Sequence, residues 1–254
     1  MVNRLQDLVS TSVAASVADF RPRQPIALRD ADTHVFFTPL HYEPNYAYPL
    51  VVWLHGPDDN ETQLRQVLPL VSVRNYVAVG PRGTLASVQS GEQTGYRWQQ
   101  SADLILLAEN RVLRAIAAAR RRFNVHDERI VLAGLGCGGT MAVRLALQHP
   151  HLVSGAVSLG GPFPQDHSPL RRWHERRRLR LLIASGQTSS EYPPEHVCRD
   201  LALFHAANMI VHLRHYPCGD ELTTEMLADV DRWIMHEFIA SQASTRATAD
   251  ECQR

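Results

Sequence analysis

The chain has 254 residues, of which 44% are hydrophobic, enough to bury a large core within one α/β domain. Its 26 basic and 26 acidic residues cancel to a formal charge of zero. The net charge therefore gives no overall attraction to nucleic acid or to an anionic membrane. All of the basic residues are arginines, so Schiff-base chemistry, a Walker lysine and a Ser-Lys dyad are excluded as well.

Elements that alternate between strand and helix are predicted from residue 33 onward. "THVFFTPL" predicts a strand, "LVVWLHG" a strand buried on both faces, "ETQLRQVLPLV" a helix and "YVAVGPRG" another strand. Residues 84–100 are predicted to form a long polar loop. A long helix follows, with one apolar face. That face comprises Ile105, Ala108, Val112, Ile116 and Ala119.

The second half continues the alternation. "GAVSLGGPFP", "LRLLIASG" and "MIVHLRHYP" are predicted strands. "PEHVCRDLALFHAA" predicts a helix with Val197, Leu201 and Phe204 inward, and "ELTTEMLADVDRWIMHEFI" a final amphipathic helix. This order predicts a doubly wound, mostly parallel sheet in one domain, with its site at the carboxyl ends of the strands.

Three further segments set the predicted boundaries. Residues 1–25 predict a helical extension, residues 26–241 the α/β domain, and residues 242–254 a disordered tail. Residues 161–178 form an arginine-rich insertion where a cap could sit. It is expected to be a solvated helical face or, alternatively, a docking patch for an anionic ligand or protein. The arginines of that patch are Arg171, Arg172, Arg176, Arg177 and Arg178.

Cysteine usage and hydropathy indicate a cytoplasmic protein. Cys137, Cys198, Cys218 and Cys252 have no CxxC spacing, so we expect a reducing compartment and no metal or cofactor. The N-terminus lacks the apolar core of a secretion signal. No stretch reaches the roughly 20 apolar residues that a membrane-spanning helix needs.

The stretch "VLAGLGCGGTMAVRLALQHP", residues 131–150, predicts a buried strand, a glycine turn and a helix. In that context the pattern G-x-S-x-G marks a nucleophile. Together with "YPLVVWLHG", "YVAVGPRG" and "HYPCGDEL", the stretch resembles the phospholipase/carboxylesterase and acyl-protein thioesterase branch of the α/β-hydrolases. The chain is also similar to polyhydroxyalkanoate depolymerase-type and dienelactone hydrolase-type esterases, and the resemblance runs from about residue 47 to 239.

The resemblance implies where a catalytic triad would stand, and each of the three positions holds another residue. The family's serine falls on Gly136, its acid on Ser189 in "GQTSSEYPP", and its histidine on Asp220 in "YPCGDE". One oxyanion donor falls on Pro57, which has no N–H, whereas the second, the N–H of Cys137, is retained. Losing all triad members leaves no hydrolase of the family type.

The leading hypothesis is therefore a non-catalytic protein with a hydrolase fold. It would bind a small acyl-bearing or carboxylate ligand in its pocket, or a protein partner through the arginine-rich insertion. The pocket and oxyanion region is expected to comprise His55, Gly56, Pro57, Cys137, Tyr96 and Trp98.

Three alternatives stay open from the sequence. Cys137 is a displaced nucleophile if the helix N-terminus lowers its pKa and His55, His215 or His174 acts as base. Asp220 is a general base for water if an apolar pocket raises its pKa. Cys137 with Cys218 would form a redox or metal pair if the two thiols meet.

Overall fold

The structure, a computed structural model, describes residues 33–89, 92–165 and 179–240. The predicted extension at 1–25, the greater part of the arginine-rich insertion with its five arginines and His174, and the predicted tail at 242–254 lie outside the described residues. Those assignments, the domain boundaries and the cytoplasmic location stay predictions.

Nine strands occur in the described residues; seven of them form one sheet, and two form a separate hairpin. The strands are β1 (His34–Phe37), β2 (Tyr48–Leu54), β3 (Val77–Pro81), β4 (Leu85–Gln89), β5 (Glu92–Arg97), β6 (Val125–Leu135), β7 (Gly155–Leu159), β8 (Arg180–Gly186) and β9 (Ile210–Tyr216). The main sheet has the order β1-β3-β2-β6-β7-β8-β9. Only β1 runs antiparallel to its neighbour, so the predicted mostly parallel sheet is confirmed.

Helices cover both faces of this sheet. They are α1 (Gln63–Val71), α2 (Ala102–Arg122), α3 (Cys137–Gln148), α4 (Pro194–Ala206) and α5 (Thr224–Ile234), followed by a π-helical segment, Met235–Ala240. One buried cluster contains the inner faces of α2, α3 and α4, and the other contains those of α1 and α5. Every residue of β2 and β3 is buried, because parallel strands between two helical layers have no solvent face. The doubly wound architecture is thus confirmed.

Three local predictions are wrong. Residues 84–100 contain the hairpin of β4 and β5, whose polar sequence hides the strand signal. Leu201 is 40% exposed, because α4 buries only the stripe formed by Val197, Asp200 and Phe204, which is narrower than its apolar residues suggest. The last helix begins at Thr224 rather than at residue 221, because Thr223 caps it by accepting a hydrogen bond from the Met226 N–H.

The sheet register sets where a site can form. Leu54 at the end of β2 lies beside Gly134 of β6, and Leu135 lies beside Leu159 at the end of β7. The loops that follow these strands therefore meet at one edge, as predicted. Within the described residues, no helix is long and apolar enough to cross a membrane, and no group of three or more His, Cys, Asp or Glu side chains could hold a metal ion.

Candidate functional site

The turn between β6 and α3, residues 134–139, is called the glycine turn below. Its backbone lies directly against the end of β2. A Cβ on Gly134 would stand 2.5 Å from the backbone carbon of Gly138 and 2.7 Å from the carbonyl oxygen of Leu54. A Cβ on Gly138 would overlap the carbonyl oxygens of Leu54 and His55. These positions are glycine because backbone atoms already fill the space of a side chain.

Gly136, the position that the resemblance assigns to a nucleophile, has the backbone of a strained elbow. Its φ of 52° and ψ of −122° lie in a region that side-chain-bearing residues rarely adopt, and its N–H is held by the Leu159 carbonyl at 2.8 Å. A Cβ at 136 would meet Cδ of Pro57 at 3.2 Å. The turn keeps the shape that presents a nucleophile, but it carries none, and the Pro57 ring borders the space of the absent side chain.

A cavity of about 410 Å³ opens at the glycine turn. It is lined by Pro57, Leu85, Arg97, Trp98, Gln99, Gly136, Cys137 and Glu191. Pro57, Trp98 and Cys137 of the predicted pocket are thus brought together, beside Gly136. A cavity of this volume is within the range of small-molecule sites in proteins.

Cys137 is the only thiol that lines this cavity within the described residues. Burial raises the pKa of its thiol, and hydrogen bonding from the backbone of Trp98, the charge of Arg97 and hydrogen bonding from the backbone of Gly138 offset this only in part. The expectation that the helix N-terminus lowers this pKa is wrong, because desolvation outweighs it. The thiol is therefore protonated near neutral pH and is a weak nucleophile.

Neither of the described candidate bases serves Cys137. His55 is fully buried; its Nδ1 donates to the Gly56 carbonyl at 2.8 Å, and its Nε2 accepts from the Gly83 N–H at 2.9 Å. Both ring nitrogens are occupied, and burial lowers the pKa of the ring. His215 is exposed on the edge strand β9. Since β9 lies three strands from β6, the two are about 14 Å apart across the sheet.

The other two triad-equivalent positions are in contact. The Ser189 hydroxyl donates to Asp220 Oδ1 at 2.5 Å and accepts from the Tyr192 N–H at 2.9 Å. Asp220 also accepts from the Ser190 N–H at 3.1 Å, the Ser190 hydroxyl at 2.6 Å and the Glu191 N–H at 3.2 Å. Residues 189–191, called the serine loop below, are thereby tied to the loop after β9.

These hydrogen bonds decide the chemistry of Asp220. The hydroxyls of Ser189 and Ser190 lower the pKa of its carboxyl group to about 2. The raised pKa that a general base for water needs is therefore not present, and that expectation is wrong. Asp220 is exposed rather than enclosed in an apolar pocket, and it is not among the residues that line the cavity.

The predicted pocket residues other than Pro57 and Cys137 make contacts within the fold. Trp98 is 1% exposed, lines the cavity and lies 5.5 Å from the His55 ring between centroids. Tyr96 does not line the cavity; the Arg82 guanidinium packs over its ring at 4.8 Å and donates to its hydroxyl at 3.3 Å. His55 and Gly56 are not among the residues that line the cavity. The Gly56 N–H donates to the Gln63 side chain at 3.1 Å.

Cys137 and Cys218 are both free thiols, and they follow strands β6 and β9, which are separated by β7 and β8. Burial raises the pKa of the Cys218 thiol too. A redox pair between them has no support from this arrangement.

Sequence reasoning missed two charged residues of the cavity, Arg97 and Glu191. Arg97 ends β5 in the segment that was predicted as a loop, and Glu191 follows Ser189 and Ser190. Two signals could have indicated them: Glu191 lies two residues after the acid-equivalent Ser189, and Arg97 stands between the predicted pocket residues Tyr96 and Trp98.

Comparisons with known proteins agree with this fold. The Esterase family model matches residues 27–210. A carboxylesterase structure from Mesorhizobium loti is 22% identical over 74% of this chain and 89% of its own, with a TM-score of 0.62. A Bacillus cereus carboxylesterase is 18% identical over 81% of this chain and 94% of its own, with a TM-score of 0.64. Acyl-protein thioesterase 2 from Zea mays is 18% identical over 81% and 99%, with a TM-score of 0.62.

Because the sequence identities to these three structures are only 18% to 22%, the structural likeness shows a shared fold and nothing more. A search of curated proteins gave no match.

Proposed function

Since the chain belongs to the Esterase family, we propose that it is a member without hydrolytic activity whose cavity binds a small ligand bearing a carboxylate or an acyl group. The observation that carries this proposal is the pair formed by Gly136 and Pro57. One lacks a nucleophilic side chain, and the other lacks the N–H of an oxyanion donor while its ring stands 3.2 Å from where a Cβ at 136 would be.

Substitute chemistry at the same place is not favoured. A protonated, half-buried Cys137 without a histidine partner among the described residues is a poor nucleophile. Asp220, with a pKa of about 2, is a weak base, and four hydrogen bonds occupy its oxygens. Neither group has the reactivity that acyl transfer requires.

Binding, by contrast, needs only the parts that remain. The cavity keeps an apolar wall from Leu85, Pro57 and Trp98. It also keeps the guanidinium of Arg97, whose planar fork suits a carboxylate. Apolar walls with a few convergent polar groups are the usual composition of a small-molecule site.

Hydrolysis of short-chain p-nitrophenyl esters tests the loss of activity. We expect the wild type, Cys137→Ala, Asp220→Asn and Gly136→Ser all to match the rate without protein, measured beside an active carboxylesterase as positive control. Wild-type turnover that disappears in Cys137→Ala would establish a thiol hydrolase. Turnover lost in Asp220→Asn alone would establish hydrolysis by activated water.

Calorimetric titration with short- and medium-chain carboxylates tests the binding. We expect saturable binding that Arg97→Gln weakens about tenfold or more, because a charge-assisted hydrogen bond is lost. Arg65→Gln, an exposed arginine of α1 that does not line the cavity, is the matched control and should bind as wild type. Equal carboxylate affinity in the two variants would show that the ligand does not bind in this cavity.

A further inference from the structure

Glu191 gives the cavity a negative charge that a simple carboxylate ligand would not use. Its side chain is exposed and lines the cavity, and no ion pair with Glu191 occurs among the described residues. An unpaired carboxylate beside an apolar wall repels a second anion and attracts a cation. A ligand that only carries a carboxylate would therefore bind against this charge.

Arg97 is only partly neutralised at the same cavity. Its Nε lies 3.3 Å from Asp58 Oδ1, with 54% of the arginine side chain exposed. The two Nη groups form no hydrogen bond with any described residue, so among these residues their donors have no acceptor. Arg97 can therefore accept a ligand carboxylate while it keeps the contact with Asp58.

The cavity presents one group of each sign that can still bind a ligand. Arg97 has two Nη groups without a described acceptor beside its contact with Asp58, and Glu191 forms no ion pair with a described residue. A ligand with one positive and one negative group can place each of them against the protein group of opposite charge.

The serine loop fixes the backbone of Glu191. The Glu191 N–H donates to Asp220 Oδ1 at 3.2 Å, and the Ser189 hydroxyl, 5% exposed as a residue, shares the same oxygen. Asp220 keeps its charge down to a pH of about 2, because its pKa is that low. The two positions that the resemblance assigns to the acid and the histidine thus hold a cavity-lining carboxylate in place.

From these contacts we infer that the ligand of this cavity is a small zwitterion, with a carboxylate bound by Arg97, an ammonium group bound by Glu191 and an apolar body between them along Leu85, Pro57 and Trp98. Asp220 acts as the positioning residue for Glu191. This inference rests on the proposed binding function of the same cavity.

The test is a calorimetric titration at pH 7 with two homologous series. One series contains unbranched ω-amino acids of three to seven carbons, and the other contains the unsubstituted carboxylates of equal length. At pH 7 the amino acids carry both charges and the carboxylates carry one. We expect one chain length at which the amino acid binds at least tenfold more tightly than its matched carboxylate, and that length reports the separation of the two protein charges.

Variants separate the two charges. Glu191→Gln should remove the amino-acid advantage while leaving carboxylate affinity unchanged or improved, because the like charge is gone. Glu195→Gln, an exposed carboxylate on α4 that does not line the cavity, is the matched control and should keep the advantage. Asp220→Asn should reduce the advantage several-fold without changing carboxylate affinity, a split that general loosening of the fold would not produce.

The outcomes distinguish this inference from the proposed function. Carboxylates that bind through Arg97 with no amino-acid advantage at any length would overturn the zwitterion and leave the binding function standing. An advantage that survives Glu191→Gln would overturn the role of Glu191. If no compound of either series binds, both the binding function and this inference fail.

Discussion

The glycine turn and the serine loop occupy two places where the resemblance expects catalytic residues, and they differ in what has been kept. In the glycine turn the backbone is kept in detail, since Gly134 and Gly138 lie against the end of β2 with no space for a Cβ. In the serine loop the side chain of Ser189 differs from the one that the resemblance implies, and it donates a hydrogen bond to Asp220, the position that the resemblance assigns to the histidine.

This difference reflects what each region does for the fold. The glycine turn joins β6 to α3 within the sheet, so a change of backbone would disturb two strands and a helix together. The serine loop lies at the surface, where one polar pair can replace another as long as the hydrogen bonds are satisfied. A change of side chains at the triad-equivalent positions is therefore compatible with both the architecture of the glycine turn and the hydrogen bonds of the serine loop.

The largest expected effect belongs to Gly134→Ala. The new Cβ would stand 2.5 to 2.7 Å from backbone atoms of Gly138 and Leu54, which cannot move independently. We expect about 4 kcal/mol of destabilisation or no folded protein, measured by urea unfolding. Gly160→Ala is the comparison without a clash: a Cβ there meets nothing within 4 Å, so only the strain of its φ of 68° remains, and we expect a smaller loss, about 1 kcal/mol. A loss in Gly134→Ala no larger than that in Gly160→Ala would show that close packing at Gly134 does not constrain the turn.

His55→Ala should be the next most damaging change. It removes the ring that accepts from the Gly83 N–H and donates to the Gly56 carbonyl, and it leaves both buried groups unpaired. We expect the free energy of unfolding to fall by about 3 kcal/mol and the background rate of ester hydrolysis to stay unchanged.

The pH dependence of His55→Ala provides its control. Because the folded-state pKa of His55 is lowered, wild-type stability should fall as pH drops below about 6.5, where the unfolded chain takes up a proton. The variant should lack that contribution. A parallel loss in both proteins would assign the acid sensitivity to other groups.

Gly136→Ser tests whether the turn still admits a side chain. A residue with a Cβ at a φ of 52° and within 3.2 Å of Pro57 should cost about 1 to 3 kcal/mol. Pro57→Ala in the same chain should recover part of that loss, with a coupling of about 1 kcal/mol in a double-mutant cycle. Additive losses of unfolding free energy would show that Pro57 and the side chain at position 136 do not interact. Neither variant should hydrolyse esters, since no general base stands nearby among the described residues.

Asp220→Asn should have the smallest effect on stability, below about 1 kcal/mol, because the group is exposed and its interactions are screened by water. The folded-state pKa of about 2 is below that of the unfolded carboxyl group, so this carboxylate stabilises the fold above about pH 4. That contribution is lost as pH falls from about 4 to 2. Acid titration of both proteins by circular dichroism should show a smaller loss of stability in the variant. Identical curves would mean that the charge of Asp220 does not stabilise the fold.

Several features could be predicted because they leave local patterns. The continuous apolar runs of β2 and β3 indicated buried parallel strands, and the spacing of glycines at 134, 138 and 139 indicated a close strand-to-helix turn. The resemblance to the esterase branch of the α/β-hydrolases is confirmed by the family match and by the fold. It also pointed to Gly136 and Pro57, which the structure brings to one cavity.

Other features depend on contacts that no local pattern reports. The hairpin of β4 and β5 has a polar sequence, so its strands, and with them the place of Arg97 at the cavity, were missed. The pKa of Cys137 depends on how deeply it is buried as well as on its place at the start of a helix. The pKa of Asp220 depends on hydroxyl donors some 30 residues away in the chain.

The sequence by itself determined the alternation of strands and helices, the mostly parallel sheet and the absence of a serine at Gly136, since these follow from periodicity and from the residue present at one position. Tertiary structure alone decided that Pro57 borders the vacated space, that both nitrogens of His55 are occupied and that Glu191 faces the same cavity as Arg97. The physical reason is that desolvation, hydrogen bonding and charge pairing depend on neighbours in space, which the folded sheet assembles from distant parts of the chain.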